Sequence, residues 1–203
     1  MSPLHFSVLT VCGIEELSAQ ERRRVTDVLS LLDPEWPEIV AFKRFGAHRR
    51  RTLHFHDVIE PKAGMAPPTA GHMAEILRFG TELSQAALGD AGGEAHILVH
   101  CHMGVSRSTA AMLALLAQAR PDEAEDALFN RLRQIRPQAW PNSLMVGHAD
   151  ALLGRGGRLV AALRRHYGHQ IKRQPDLVDW MNRLGRGREV AMATETLKQA
   201  IPQ

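Results

Sequence analysis

The sequence predicts an α/β fold with a central, mainly parallel sheet flanked by helices. Three observations carry this expectation. Residues 6–12 (FSVLTVC), 51–56 (RTLHFH) and 95–100 (AHILVH) are short, apolar and rich in β-branched or aromatic side chains, as strands are. Segments with helical spacing separate them, the alternation from which parallel sheets are built. A run of helices follows residue 100.

The strand at 6–12 ends at Gly13. Ser18 with Glu21 three positions on has the form of a capping box, and Val25, Val28, Leu29 and Leu32 then recur at helical spacing. A helix is therefore expected through residue 32, stopped by Asp33-Pro34 and Trp36-Pro37. The strand at 51–56 puts Leu53 and Phe55 on one face. Residues 60–68 hold three prolines and a glycine and read as a loop. Thr69 can cap a helix over 70–88, which breaks across 89–93. The strand at 95–100 leads through a short loop into an alanine-rich, largely buried helix over 108–119. A further helix opens at Pro121-Asp122 and runs to Arg136. Pro141-Asn142 precedes a last long helix, loosened at Gly154, Gly156 and Gly157 and ending at Gly168. The chain thus divides into residues 1–170, one domain carrying the chemistry, and 171–203, a basic extension that is partly helical or disordered, with a short helix at 176–184.

The 203 residues allow one domain with a sizeable core. Apolar residues make up 44% and aromatics 5%, so the core is expected to be aliphatic. The net charge of +3 is concentrated in clusters such as Arg49-Arg50-Arg51, Arg164-Arg165 and Lys172-Arg173. These read first as solvated surface, with an attractive field for a phosphorylated or nucleic-acid partner as the alternatives. Two cysteines, Cys12 and Cys101, form no disulfide framework. With no basic start followed by an apolar run, and no apolar stretch long enough to span a bilayer, a cytoplasmic setting is expected.

The chemistry lies at residues 100–108: His100-Cys101-His102-Met103-Gly104-Val105-Ser106-Arg107-Ser108. The strand delivers Cys101 to the carboxyl edge of the sheet, where ligands of such sheets bind. The following helix starts near Arg107, so backbone N–H groups of His102, Met103, Gly104, Val105 and Ser106 can converge above the sulfur as an anion cradle. Gly104 suits a position of positive φ. The helix dipole and Arg107 favour the thiolate. Arg107 offers a phosphate a bidentate fork that lysine lacks. Sulfur can then attack phosphorus in line, forming a phosphocysteine, with Ser108 hydrogen-bonded to the sulfur when it leaves.

His-Cys-x5-Arg-Ser between a strand and a helix resembles the signature loop of the cysteine-based protein tyrosine and dual-specificity phosphatases. The specific match is His100, Cys101, Gly104, Arg107 and Ser108. The resemblance implies a phosphatase-like fold from about residue 6 to 168. It also implies phosphoprotein hydrolysis, with phosphotyrosine or dual specificity, and needs no cofactor. The family uses a general acid on a separate loop after a strand. Asp57 matches that place, with Glu60 as the second candidate. The chain lacks a Trp-Pro-Asp acid motif, which together with its length points to a compact, bacterial-type member of the dual-specificity-like branch. Pro141-Asn142-Ser143 resembles a segment that follows the signature helices. Asn142 is then either a helix N-cap or a group near the hydrolytic water.

Other readings stay open. His54 and His56, and His100 and His102 around the cysteine, invite a metal, but no Cys-x2-Cys or His-x3-His pair accompanies them and no metal is expected. His100 is expected to hydrogen-bond backbone groups and orient the loop. A phosphate-binding module with weak catalysis is the second class of function. A lipid or RNA phosphatase is the third, disfavoured because the loop carries no lysine, although His102 adds charge when protonated. A phosphorylated protein is the expected partner, rather than membrane or nucleic acid. A Cys12–Cys101 disulfide is a regulatory hypothesis. Oligomeric state is not legible.

Overall fold

The computed structural model describes residues 8–89 and 95–199. Four parallel strands form one sheet in the order β1-β4-β2-β3: β1 Val8–Cys12, β2 Asp27–Leu32, β3 Arg49–His54 and β4 His96–His100. Seven helices are described: α1 Ala70–Gly89, α2 Arg107–Ala119, α3 Glu125–Ile135, α4 Ser143–Leu152, α5 Arg158–Arg173, α6 Leu177–Arg183 and α7 Gly187–Gln199. The α/β expectation is met. Residues 6 and 7 of the first expected strand and 90–93 of the break expected after residue 88 lie outside the described residues.

The expected helix through residue 32 is instead a 3₁₀ turn, Ile14–Gln20, followed by strand β2. The reason is burial. β2 lies between β4 and β3, and all six of its residues are buried. A strand covered on both faces needs no polar alternation, so its apolar run mimics helical spacing. Asp33 consequently ends a strand at the carboxyl edge of the sheet, where it faces the site.

The last long helix is two, α4 and α5. Gly154, Gly156 and Gly157 adopt positive φ between them, and buried Asp150 accepts hydrogen bonds from the amides of Gly157 and Leu159 at the start of α5. The segment after residue 170 is helical through residue 199. Leu177, Met181, Val190 and Ala193 join the same hydrophobic cluster as the sheet and α2. Buried Glu189 accepts from Trp140 Nε1 at 2.7 Å and the Ser143 amide at 2.7 Å, while Trp140 stacks on Tyr167. These residues are continuous with the core, so residue 170 marks no boundary in the packing.

Candidate active site

Cys101 follows β4 directly, and its sulfur lies 3.2 Å from Ser108 Oγ. The loop above it is oriented through its carbonyls. His102 O accepts from the Ile14 amide, Met103 O and Gly104 O from the Arg136 guanidinium, Val105 O from the Trp140 amide, and Ser106 O from the Ala110 amide. With each carbonyl turned outward to a partner, the N–H groups of the same peptides are left for an anion above the sulfur. Glu16 pairs with Arg136 and anchors this brace from the first 3₁₀ turn.

Gly104 has φ +69° and lies against the chain at β1: a Cβ there would stand 2.4 Å from the carbonyl carbon of Cys12. Gly104→Ala is expected to cost about 2–5 kcal/mol from left-handed strain plus overlap with a backbone that cannot swing away. Urea unfolding of the wild type and variant measures it; a change below about 0.5 kcal/mol would mean that the loop relaxes freely.

Arg107 is buried. Its Nη1 donates at 2.6 Å to Asp33 Oδ1 and at 2.6 Å to the Phe55 carbonyl. Its Nε is buried with no partner among the described residues, so the clamp keeps a donor in reserve. Asp57 lines the same pocket and is held on three sides. Its Oδ1 accepts from Ser106 Oγ at 2.8 Å, Asn142 Nδ2 at 2.9 Å and Arg186 Nη1 at 2.8 Å. Burial pushes the Asp57 carboxyl upward. Arg186 and then Arg107, with the Asn142 and Ser106 hydrogen bonds, more than offset that, and it sits below its ordinary range. The long loop after β3 still delivers Asp57 because its base is pinned: the His56 amide donates to Ala66 O, and the Ala66 amide to His56 Nδ1.

Of the two roles weighed for Asn142, the structure shows the N-cap, and it adds a contact to the acid candidate. Asn142 Oδ1 caps α4 by accepting from the Met145 amide, and its Nδ2 tethers the Asp57 loop through Asp57 Oδ1 and Val58 O. Glu60 is exposed, pairs with Arg188 and does not line the pocket. His100 is buried and held neutral near 4, chiefly by burial. Its Nε2 meets Ser30 Oγ at 2.7 Å, and the Cys101 backbone favours its charged form against that burial. His102 is also held below its ordinary range, by burial and by Arg107, and so adds little charge at neutral pH. Cys12 is free and buried. Its thiol is pushed up to about 12 by burial and by Glu16, which makes it a poor attacking partner for Cys101. Among the described residues, no group of three or more His, Cys, Asp or Glu is placed to hold a metal.

The pocket over Cys101 has a volume of about 240 Å³, with Asp57, Arg107 and Arg186 at its polar end and Trp140, Trp180 and Leu184 among its apolar walls. Sequence reasoning missed Asp33, Arg186 and this wall. It also missed Trp36, whose ring lies 4.0 Å from that of His102. Strand-end placement was a usable signal for Asp33, but it was hidden by the helix expected there.

Human protein phosphatase Slingshot homolog 3 is 35% identical to this chain over 161 residues, which is 78% of this chain and 20% of the relative. Two solved structures share the fold: DUSP15, with a TM-score of 0.53 at 17% identity over 82% of this chain and 94% of that one, and PTP-2 phosphatase of Cydia pomonella, with 0.52 at 19% over 74% and 89%. Over this stretch the chain is similar to a protein phosphatase, and its fold is that of the solved tyrosine and dual-specificity phosphatases. No family model matches it. The chain spans about a fifth of the length of this curated relative.

Proposed function

We propose that this chain is a cysteine-dependent phosphomonoester hydrolase acting on phosphoprotein, with phosphotyrosine preferred and dual specificity within reach. The observation that carries the reading is the cradle itself: carbonyls of residues 102–106 bonded outward around Cys101, with the unpartnered Arg107 Nε buried beside it. In this scheme the Cys101 thiolate attacks phosphorus. The P–O bond to the leaving group breaks, and the leaving oxygen takes the Asp57 proton. Asp57 carboxylate then accepts a proton from water as that water attacks the phosphocysteine. The S–P bond breaks, thiolate returns with help from Ser108, and phosphate leaves.

Asp57 is ionised in the ligand-free site, so the proton for the first step enters with substrate. A phosphomonoester has its second ionisation near pH 6, and a bound monoanion beside the Asp57 carboxylate holds the same protons as a dianion beside the acid. The apolar wall supports an aryl leaving group. Arg107 and Arg186 are the arginines lining the pocket, no lysine lines it, and Arg186 is occupied by Asp57, Ser106 and Glu189, which disfavours a multiply phosphorylated lipid headgroup. Arg49, Arg50 and Arg51 pair with Asp27, Glu38 and Glu82, which weakens the nucleic-acid reading of that cluster. Two free cysteines fit a reducing, cytoplasmic compartment. No helix of the described residues is long and apolar enough to cross a membrane.

Asp57→Asn tests the acid. Turnover of a phosphotyrosine peptide is expected to fall about 100- to 1,000-fold, and the alkaline limb of its pH profile to vanish. Nitrophenyl phosphate, whose leaving group needs no proton near neutral pH, is expected to lose far less. Equal losses on both substrates would remove Asp57 from the acid role. A wild-type protein that binds phosphate yet turns over neither ester would leave the binding module as the answer.

A further inference from the structure

We propose that Arg186, from the turn between α6 and α7, is a positioning residue that locks the acid loop onto the phosphate cradle, which makes the C-terminal helices part of the catalytic site. The inference rests on the phosphatase reading above.

The local sequence explains how a residue so late in the chain arrives there. Helix α6 ends at Arg183, Gly185 with φ of +74° then reverses the chain, and the Arg186 amide donates back to Met181 O. The reversal points Arg186 inward while Trp180, Met181 and Leu184 line the pocket. Arg186 is buried and its donors are all engaged. Nε donates to Glu189 Oε2 at 2.8 Å. Nη1 donates to Asp57 Oδ1 at 2.8 Å and lies 3.4 Å from Asp57 O. Nη2 donates to Ser106 Oγ at 2.9 Å and Glu189 Oε1 at 3.1 Å. One guanidinium thus joins the acid candidate, the cradle loop and α7.

A fork with every donor occupied has none left for substrate phosphate, which separates Arg186 from Arg107 and its unpartnered Nε. Its role is geometric: Asp57 and Ser106 are fixed to the same rigid plane, so the acid stands at a set distance from the cradle. The charge matters too. Asp57 is faced by Arg186 with Glu189 behind it, by Arg107 with Asp33 behind that, by His102, Ser106 and Asn142, by His56 beside it on the loop, and at longer range by Tyr167. Arg186 is the largest of the influences favouring its carboxylate form. Removing that charge lets Asp57 hold its proton to higher pH, so the alkaline limb moves upward.

Arg186→Met, Arg186→Lys and the pair Arg186→Met/Glu189→Gln provide the test, the last because it also neutralises Glu189, the fully buried carboxylate that would otherwise lose its cation. Each is assayed from pH 4 to 9 on a phosphotyrosine peptide and on nitrophenyl phosphate, alone and combined with Asp57→Asn. Thermal melts and affinity for inorganic phosphate report folding of the cradle. The expected result is an about 10- to 100-fold fall in kcat on the peptide for Arg186→Met and the paired variant, about threefold or less on nitrophenyl phosphate, and an alkaline limb displaced upward. Arg186→Lys is expected to restore the limb but only part of the rate. In the Asp57→Asn background, Arg186→Met should cost almost nothing further. Equal losses on both esters, an unmoved limb, or a full additional loss in that background would each overturn the proposal with the phosphatase reading intact. A wild-type protein inactive on both esters would overturn that reading and this one with it.

Discussion

Cys101→Ser is expected to abolish turnover of every phosphomonoester, by about 10⁴-fold or more, while phosphate binding survives. The two halves of that expectation have different physical origins. Turnover depends on a polarisable thiolate aimed at phosphorus, and a serine hydroxyl stays protonated at neutral pH and attacks poorly. Binding depends on the backbone of residues 102–106 and on Arg107, which the substitution leaves in place. The carbonyl brace from Arg136, Trp140 and Ile14 does not involve the sulfur, and the Oγ of a serine can still meet Ser108. Affinity for inorganic phosphate should therefore hold. Steady-state kinetics and calorimetric titration measure the two together. A variant retaining a tenth of the wild-type rate would dismiss Cys101 as the nucleophile; one that melts early and binds no phosphate would show that the sulfur holds the loop.

Arg107→Lys is expected to cost about 100- to 1,000-fold in kcat/KM, with KM and kcat both affected. Charge is kept, so a purely electrostatic clamp would lose little. The structure makes shape the issue. The guanidinium already gives Nη1 to Asp33 and to the Phe55 carbonyl, and its Nε is buried without a partner. Two parallel donors toward one phosphate face are available only from a planar fork. Lysine would place one ammonium, drawn toward Asp33, and leave the Phe55 carbonyl or the phosphate short of a donor. A loss under about fivefold, measured on the phosphotyrosine peptide, would reduce Arg107 to a point charge. This loss and that of the Arg186 variants differ in kind: Arg107 should weaken both test esters, Arg186 chiefly the one with the poor leaving group.

The conflict inside the acid assignment is instructive. Asp57 is placed over the pocket by Ser106, Asn142 and Arg186, and the same contacts favour its carboxylate form. A group held by donors is well positioned and reluctant to carry a proton. Substrate resolves this: a phosphate monoanion entering beside Arg107 brings the proton, and the negative charge it places next to Asp57 raises that carboxylate's affinity for it.

The signature loop was legible in the sequence because its parts are contiguous. Nine residues, 100–108, encode strand end, nucleophile, left-handed glycine, clamp and helix start, and each step follows from local geometry. Asp57 was legible too, as a carboxylate at a strand end, since that strand's apolar pattern stands out at an edge of the sheet. Strand β2 was not. Buried on both faces between β4 and β3, it had no reason to alternate, and its spacing could be taken for a helix. That error concealed Asp33, whose place beside Arg107 depends on β2 being a strand.

The sequence by itself determined the fold class and marked the loop from Cys101 to Arg107, because strand end, loop and helix start are contiguous there. Only the tertiary structure decided how the acid is held and what closes the pocket. Arg186 is 129 residues from the Asp57 it bonds, and the helices carrying it are joined to the core by apolar burial at Leu177, Met181, Val190 and Ala193 and by buried Glu189 under Trp140. Such contacts leave no spacing in the chain. They arise when packing brings distant segments together, and a basic tail that reads as solvated surface becomes a wall of the site because one buried arginine meets buried Glu189 and the pocket-lining Asp57.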